Sequence, residues 1–161
     1  MASGIERFLE AATVLGHEVE VRRFPEGTRT ADDAARAIGC DVAQIVKSLV
    51  FMADDRPVLA LTSGANRVDT GRLAALVGAR AVRRADAEEA RAASGFAVGG
   101  TPPFGHPQPL TTVLDPDLTV HAEIWAAAGT PDAVFRTTPE ELLRVTGATV
   151  APFREEPGAG R

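Results

Sequence analysis

Two apolar runs joined by a short polar turn constrain the fold of this chain most. The first run extends over Val42–Ala53 and the second over Val58–Thr62, with Asp54–Pro57 between them. Alternating apolar segments that flank a turn are typical of a β-hairpin. We therefore predict a short helical turn at the start of the first run, then a strand over Ser48–Met52 that pairs with the second run.

Helices and further strands surround this hairpin. Helical spacing, N-cap residues and glycine stops predict helices at 5–15, 32–38, 68–77 and 86–93, and after Thr138. Further strands are predicted at 19–24, 79–83, 111–114, 120–125, 133–136 and 149–151, with a turn at 25–27. Because strands outnumber helices and often join by turns, the class is α+β with a mixed, largely antiparallel sheet. No composition break marks a second domain, so we expect one domain over 1–153 and a frayed tail over 154–161.

Composition excludes several classes of protein. The 161 residues are 45% hydrophobic and carry a net charge of -5, which argues against nucleic-acid binding by bulk charge alone. A single cysteine, Cys40, forbids an intramolecular disulfide. We expect no signal peptide, no membrane span and a cytoplasmic location, since no long apolar segment exists. No zinc-binding spacing, dinucleotide fingerprint or Walker motif is present, so we expect neither a metal nor a cofactor.

Lys47 is the first candidate for chemistry. It is the only lysine among the 17 basic residues, and the others are arginine. Its side chain either extends from a strand end into solvent or points a compact cation into a pocket. The strong bias toward arginine favours the pocket, because arginine would serve at an ordinary surface position.

A Gly/Pro-rich segment, Gly99–Pro107, is the second candidate. Its density of glycine and proline permits no regular element. It is either a rigid surface loop or a loop that presents backbone N–H groups to an anion or a developing oxyanion. His106, within the segment, is either a polar contact or an ordinary surface residue.

Three weaker features follow. Ser63–Asp69 is a strand-to-helix turn in which Ser63 or Asn66 caps the helix, or it contributes to a site. Ile124–Pro131 contains small residues that either line a pocket or pack closely. The arginines are candidate phosphate contacts or solvated faces, and they group as Arg22-Arg23 with Arg29, and Arg80 with Arg83-Arg84.

Together these segments resemble the YbaK/EbsC family of aminoacyl-tRNA editing proteins, the superfamily of the insertion domain of bacterial prolyl-tRNA synthetase. The resemblance covers about residues 5–153. It rests on Val46–Phe51, Ser63–Asp69, Gly99–Gly105 and Ala133–Leu142. It implies a sheet rolled toward a barrel with flanking helices, and a free-standing, metal-independent deacylase that acts on mischarged tRNA with help from a group on the substrate.

The resemblance also implies site residues. Those implied as catalytic are Lys47, Gly99, Gly100 and Thr101. Those implied as substrate-binding are Ser63, Asn66, Pro102, Pro103, Phe104, Gly105, His106, Ala127, Ala128 and Gly129. The implied partners are the 3′ acceptor end of an aminoacyl-tRNA and prolyl-tRNA synthetase.

This sequence departs from the family pattern at two places. Members that act on cysteinyl-tRNA have Ser-Gly-Gly at Ala127–Gly129, and many relatives have Gln at His106. The substrate that the resemblance implies is tRNA-Pro, or a related tRNA, carrying a small amino acid. The alternative is a non-catalytic module that binds aminoacyl-tRNA, a synthetase or an amino acid. A basic rim of Arg22, Arg23, Arg83 or Arg84 beside Lys47 would favour tRNA.

Overall fold

The structure, a computed structural model, describes residues 2–24 and 30–156. Its helices are α1 (Gly4–Val14), α2 (Ala31–Ile38), α3 (Thr70–Val77), α4 (Ala87–Ser94) and α5 (Pro139–Thr146). Its strands are β1 (Val21–Arg23), β2 (Ile45–Ala53), β3 (Arg56–Ser63), β4 (Val82–Arg84), β5 (Thr111–Leu114), β6 (Ile124–Ala127), β7 (Ala133–Thr137) and β8 (Thr149–Val150). Short 3₁₀ turns lie at Val42–Gln44 and Pro116–Leu118.

The strands of the described ranges form one mixed sheet in the order β1-β7-β6-β2-β3-β5-β8, and β4 also pairs with β2. The pairs β1/β7, β6/β7, β2/β3 and β2/β4 are antiparallel. The pairs β2/β6, β3/β5 and β5/β8 are parallel. The predicted α+β class with a mixed sheet is confirmed. The sheet stays open and does not close into a barrel, because β1 and β8 form its two ends.

The predicted hairpin is confirmed, and it forms the centre of the sheet. β2 and β3 pair from Val46↔Ser63 to Ala53↔Arg56, so the turn between them is short. Within that turn, Asp54 adopts a φ of 54°, and its carboxylate accepts hydrogen bonds from two backbone N–H groups after α3. β2 begins three residues earlier than predicted, since its first residues also pair with β6. Lys47 therefore lies inside a strand.

Helix ends follow the sequence signals closely. The hydroxyl of Thr30 accepts the N–H of Asp33 at 3.0 Å, and the hydroxyl of Thr138 caps α5 in the same way. A left-handed glycine ends four of the helices. The start of α3 differs from the prediction. The helix begins at Thr70, not at residue 68, and its N-cap is Asp69, not Ser63 or Asn66.

Two other segments differ from prediction or lie outside the described ranges. The strand predicted at 120–125 begins only at Ile124, because the chain first forms the 3₁₀ turn that starts after Asp115. The predicted turn at 25–27 lies outside the described residues, as do tail residues 157–161. The first tail residue, Arg154, forms an isolated bridge with Val68, which joins it to the segment before α3.

Three apolar clusters hold the helices on the sheet. The largest is centred on Phe8, Phe104 and Phe135, whose rings lie 4.8–5.8 Å apart. A second cluster joins α2 to Trp125, and a third includes Phe51 on the hairpin. No helix in the described part of the chain is long and apolar enough to cross a membrane.

Candidate active site

A gap between two strands opens a cleft beside β2. On one edge of β2, β6 pairs with Ile45 and Val46, and β4 pairs with Phe51–Ala53. The residues between these two pairings have no strand neighbour on that edge. A cleft of about 690 Å³ lies here, and it is lined by α2, β2, the turn after β3, the start of α4, β6, the start of β7, and Val98, Gly99 and Thr101. The topology of the sheet thus creates a cleft that is a candidate site.

Lys47 lies in the wall of this cleft. Its side chain is half-buried, and Nζ donates a hydrogen bond to the backbone carbonyl of Asn66 at 2.5 Å. Asn66 belongs to the turn after β3, so the hairpin carries both partners. Among residues 2–24 and 30–156 this carbonyl is the one acceptor of the ammonium, so two further hydrogens remain for a ligand. Lys47 therefore lies in a pocket wall and does not extend from a strand end.

The surroundings of Lys47 lower its pKa. Burial is the largest cause, because it penalises the charged form, and the nearby cations Arg67 and Arg84 act in the same direction. The carboxylates of Asp115 and Asp32 oppose this shift. Arg67, Arg84 and Asp32 also line the cleft, so Lys47 is the partly desolvated member of a mixed-charge group.

Asp115 holds the turn that positions Lys47, a role that the sequence analysis did not predict. Its carboxylate is buried and accepts hydrogen bonds from Ser63 N at 3.1 Å and from Asn66 Nδ2 at 2.8 Å. Asn66 Nδ2 also lies 2.8 Å from Asp117 Oδ2. Ser63 is buried, and its hydroxyl donates to the carbonyl of Ala43. Ser63 and Asn66 therefore fix the turn beneath the lysine.

Two of the predicted loop residues, Gly99 and Thr101, line the same cleft as Lys47. Thr101 is buried, and its hydroxyl donates to the carbonyl of Ala97 at 3.3 Å. The backbone N–H of Thr101 has no acceptor among residues 2–24 and 30–156. Thr101 thus combines a place in the cleft wall with a backbone amide that is unpaired among the described residues.

Gly100 packs against the neighbouring loop and does not line the cleft. Its N–H donates to Ala97 O at 3.0 Å, and its carbonyl accepts the N–H of Gly129 at 3.0 Å. A Cβ at this position would lie 2.7 Å from the Cα of Thr130. Gly100 thus allows the close approach of two backbones.

The rest of the predicted loop lies behind the cleft. These residues are Pro102, Pro103, Phe104, Gly105 and His106. The Phe104 ring packs 5.1 Å from that of Phe8, in the core. His106 Nε2 lies 2.8 Å from the carbonyl of Pro102, and burial lowers the pKa of the imidazole. This half of the loop anchors the half that faces the cleft.

Of the three small residues Ala127, Ala128 and Gly129 at the end of β6, only Ala127 lines the cleft. Ala128 is fully buried and donates its N–H to Ala133 O at 2.9 Å. Gly129 adopts a φ of 105°, and a Cβ there would lie 2.3 Å from the carbonyl oxygen of Gly4. Ala127 is thus the member of this set that a bound side chain would meet.

The rim of the cleft is partly basic. Arg67 and Arg84 line it, and Arg22 lies 4.9 Å above the Trp125 ring, which forms part of the wall. Asp32 contributes one carboxylate to the same rim. Among the described residues that line the cleft beside Lys47, Arg67 and Arg84 are cationic and Asp32 is anionic.

Two of the other predicted arginines form ion pairs with residues that do not line the cleft. Arg23 forms an ion pair with Asp132 at 3.0 Å, and Arg83 forms one with Glu89 at 2.7 Å. Arg29 lies outside the described residues. Arg83 and Arg84 are thus neighbours in sequence with different surroundings.

Comparisons with known proteins agree with this geometry. The profile of the aminoacyl-tRNA editing domain matches residues 25–145. The crystal structure of a candidate trans-editing enzyme for prolyl tRNA synthetase superimposes with a TM-score of 0.91 and 47% identity, covering 97% of this chain and 99% of that one. YwhH of Bacillus subtilis (strain 168) is 28% identical over 131 residues, which are 81% of this chain and 83% of YwhH.

Synthetases also contain a related segment. The proline–tRNA ligase of Bacillus pumilus (strain SAFR-032) is 33% identical over 137 residues, which are 84% of this chain but only 23% of the ligase. The match to the editing-domain profile spans three quarters of the sequence, including the strand that carries Lys47 and the loop at Gly99–Thr101. This chain therefore belongs to the aminoacyl-tRNA editing domain family.

Proposed function

We propose that this chain is a trans-editing deacylase that hydrolyses the ester bond of a mischarged tRNA. The observation that carries the proposal is the ammonium of Lys47, which a backbone carbonyl holds in the wall of a cleft that Gly99, Thr101 and Ala127 also line. The likeness to a candidate trans-editing enzyme for prolyl tRNA synthetase supports it. Related segments in proline–tRNA ligases favour tRNA-Pro, or a related tRNA, as the substrate.

Ester hydrolysis requires stabilisation of the charge that develops on the carbonyl oxygen when water attacks. In the proposed mechanism, the N–H of Thr101 donates to this oxygen, and Lys47 compensates the negative charge. Gly100, the other amide considered from the sequence, already donates to Ala97 O. A hydroxyl of the terminal ribose orients the attacking water, so the reaction is substrate-assisted and needs no metal.

Selection of the amino acid depends on the apolar wall of the cleft. Ala127 contributes a methyl group to this wall and no hydroxyl of its own. A pocket of this kind favours small apolar side chains, and it discriminates weakly between side chains that differ by one methylene. We therefore expect a small amino acid at this position, with the 3′ end of the tRNA against the basic rim.

The proposal is tested with a panel of tRNAs carrying proline, alanine, cysteine, serine or threonine, with and without prolyl-tRNA synthetase. The wild-type protein hydrolyses at least one mischarged member, and Lys47→Ala lowers its kcat/KM by about 10²-fold. Arg83→Gln, outside the cleft, is the control and retains activity. Dialysis against EDTA leaves the rate unchanged.

The same panel separates the two functions considered from the sequence. Failure to hydrolyse any ester at high enzyme concentration contradicts the deacylase. Binding of aminoacyl-tRNA without turnover, still sensitive to Lys47→Ala, identifies a binding module instead.

A further inference from the structure

The backbone of Ser48 points into the gap in the sheet. Successive residues of a strand direct their N–H and C=O groups to alternate edges. The carbonyl of Ile45 accepts the N–H of Gly64, on the β3 side, whereas the carbonyl of Val50 accepts the N–H of Ala85, on the opposite edge. Ser48 lies two residues before Val50, so its N–H and C=O point to the edge where β4 and β6 pair.

Neither neighbouring strand reaches Ser48. The β6 pairing ends at Val46↔Ala126, and the β4 pairing begins at Phe51↔Arg84. Ser48 therefore presents one donor and one acceptor, side by side, to the cleft that it lines. Buried backbone groups in folded proteins are nearly always paired, so such an edge is a place for a ligand.

The side chain of Ser48 supplies an independent observation. Its Oγ is buried and has no hydrogen-bond partner, the one such side-chain atom found in the described residues. A buried hydroxyl without a partner destabilises a fold, so its presence calls for a cause outside the packing of the chain. Ser48 lines the cleft, and a rotation of its side chain about χ1 would bring Oγ to a ligand there, which would provide the missing partner.

We propose that Ser48 forms the subsite for the N–Cα–C=O unit of the aminoacyl ester. The α-amino group donates to the carbonyl of Ser48, and the N–H of Ser48 donates to the acyl carbonyl oxygen. This is the exchange made by a hydrogen-bonded pair of antiparallel strands, reduced to one residue on each side. The hydroxyl of Ser48 accepts a second hydrogen of the α-amino group. The proposal rests on the deacylase function. It adds an explanation of how the protein recognises the part of the amino acid that does not depend on the side chain.

The first test compares alanyl-tRNA with propionyl-tRNA, which lacks the α-amino group. Each enzymatic rate is divided by the spontaneous hydrolysis rate of the same ester, because the amino group also activates the ester chemically. The wild-type protein favours the alanyl ester by about tenfold after this correction. Ser48→Ala lowers that preference by about threefold, through loss of one hydrogen bond. Ser94→Ala, a buried serine outside the cleft, leaves the preference unchanged.

The second test measures the backbone amide of Ser48 directly and does not require turnover. The probe is 3′-alanylamino-3′-deoxyadenosine, an amide that cannot be hydrolysed as an ester, with its propionyl counterpart as the control. On titration, the amide proton signal of Ser48 moves downfield, and the alanyl probe binds about tenfold more tightly.

The two tests separate the subsite from the function. Equal corrected rates for the two esters, or a preference that survives Ser48→Ala intact, overturns the subsite while hydrolysis still supports the deacylase. If no ester is hydrolysed, the proposed deacylase function is contradicted. The titration with the amide probes then decides alone whether the subsite exists. An unmoved Ser48 amide signal overturns the subsite in either case.

Discussion

At the residue scale, Lys47 shows which features of the candidate site can be predicted from the composition of the sequence and which cannot. A single lysine among many arginines is visible in the sequence and marks a position where a small ammonium serves. Its partners are not visible, because its acceptor is the backbone carbonyl of Asn66 and not a side chain. Asp115 follows β5 in an Asp-Pro-Asp sequence that indicates a turn, and only the parallel β3/β5 pairing brings it under Ser63.

The charges around Lys47 lead to a prediction about its ionisation. Its pKa lies below the ordinary value of 10.5, through burial and then the cations Arg67 and Arg84. A function that needs the ammonium is therefore lost as the pH rises through this lowered value. Arg67→Gln removes a repelling cation and raises the pKa, whereas Asp115→Asn removes an attracting carboxylate and lowers it further.

The measurement is direct because the chain has one lysine. Protein labelled with ¹³C-lysine gives a single Cε signal, whose pH titration reports Lys47 without assignment. Arg83→Gln, at an arginine not among the causes of the shift, is the control and leaves the midpoint in place. A wild-type midpoint at or above 10.5 would contradict the prediction.

At the element scale, local sequence signals such as N-caps and glycine stops determined most boundaries of helices and strands. Tertiary contacts determined the other boundaries. The N-cap at Thr30, the stop at Gly39 and the strand Thr111–Leu114 all match the sequence. The loop at Gly99–Pro107 was correctly predicted to be irregular. Which face of that loop meets the cleft was not predictable, because it depends on the approach of Gly100 to Thr130 and on Phe104 in the core.

The packing of Gly100 leads to a prediction about stability. Gly100→Ala places a Cβ 2.7 Å from the backbone of Thr130, so the two loops must separate. We expect a loss of about 1–3 kcal/mol in the free energy of unfolding, and weaker hydrolysis because Thr101 moves with the loop. Thermal unfolding and deacylation at a temperature where the variant is folded measure the two effects.

A second glycine provides the matched control. Gly71 lies in α3, and a Cβ there meets only the cap oxygen of Asp69, at 3.3 Å. Gly71→Ala is therefore neutral or stabilises the protein by up to about 1 kcal/mol. Equal effects of the two substitutions would show that the loop contact at Gly100 is not tight.

At the scale of the whole molecule, the site is a consequence of sheet topology. The cleft exists because β6 and β4 pair with different parts of β2 and leave a gap between them. Periodicity predicted the strands but could not predict this arrangement, because the parallel β2/β6 pair joins segments far apart in sequence. For the same reason, the sequence could not reveal that the buried hydroxyl of Ser48 lacks a hydrogen-bond partner among the described residues.

The overall charge of the molecule sets how it can meet a tRNA. With a net charge of -5, long-range attraction is weak, and we expect the phosphate contacts to come from the described arginines at the cleft, Arg67, Arg84 and Arg22. Counterion release gives a slope of about −0.7 per phosphate contact on a single strand. For two or three contacts, we expect log(kcat/KM) against log[salt] to have a slope of about −1 to −2.

Adjacent arginines allow a matched test of this rim. Arg84 lines the cleft, whereas Arg83 is paired with Glu89 outside it. Arg84→Gln is expected to raise KM a few-fold and to make the slope shallower by about 0.7, and Arg83→Gln to change neither. Both variants lose the same charge, so an effect of net charge alone would alter them equally. Equal changes in KM and slope for the two variants would place the tRNA contacts away from the cleft. A slope much steeper than −2 would require more phosphate contacts than Arg22, Arg67 and Arg84 can make.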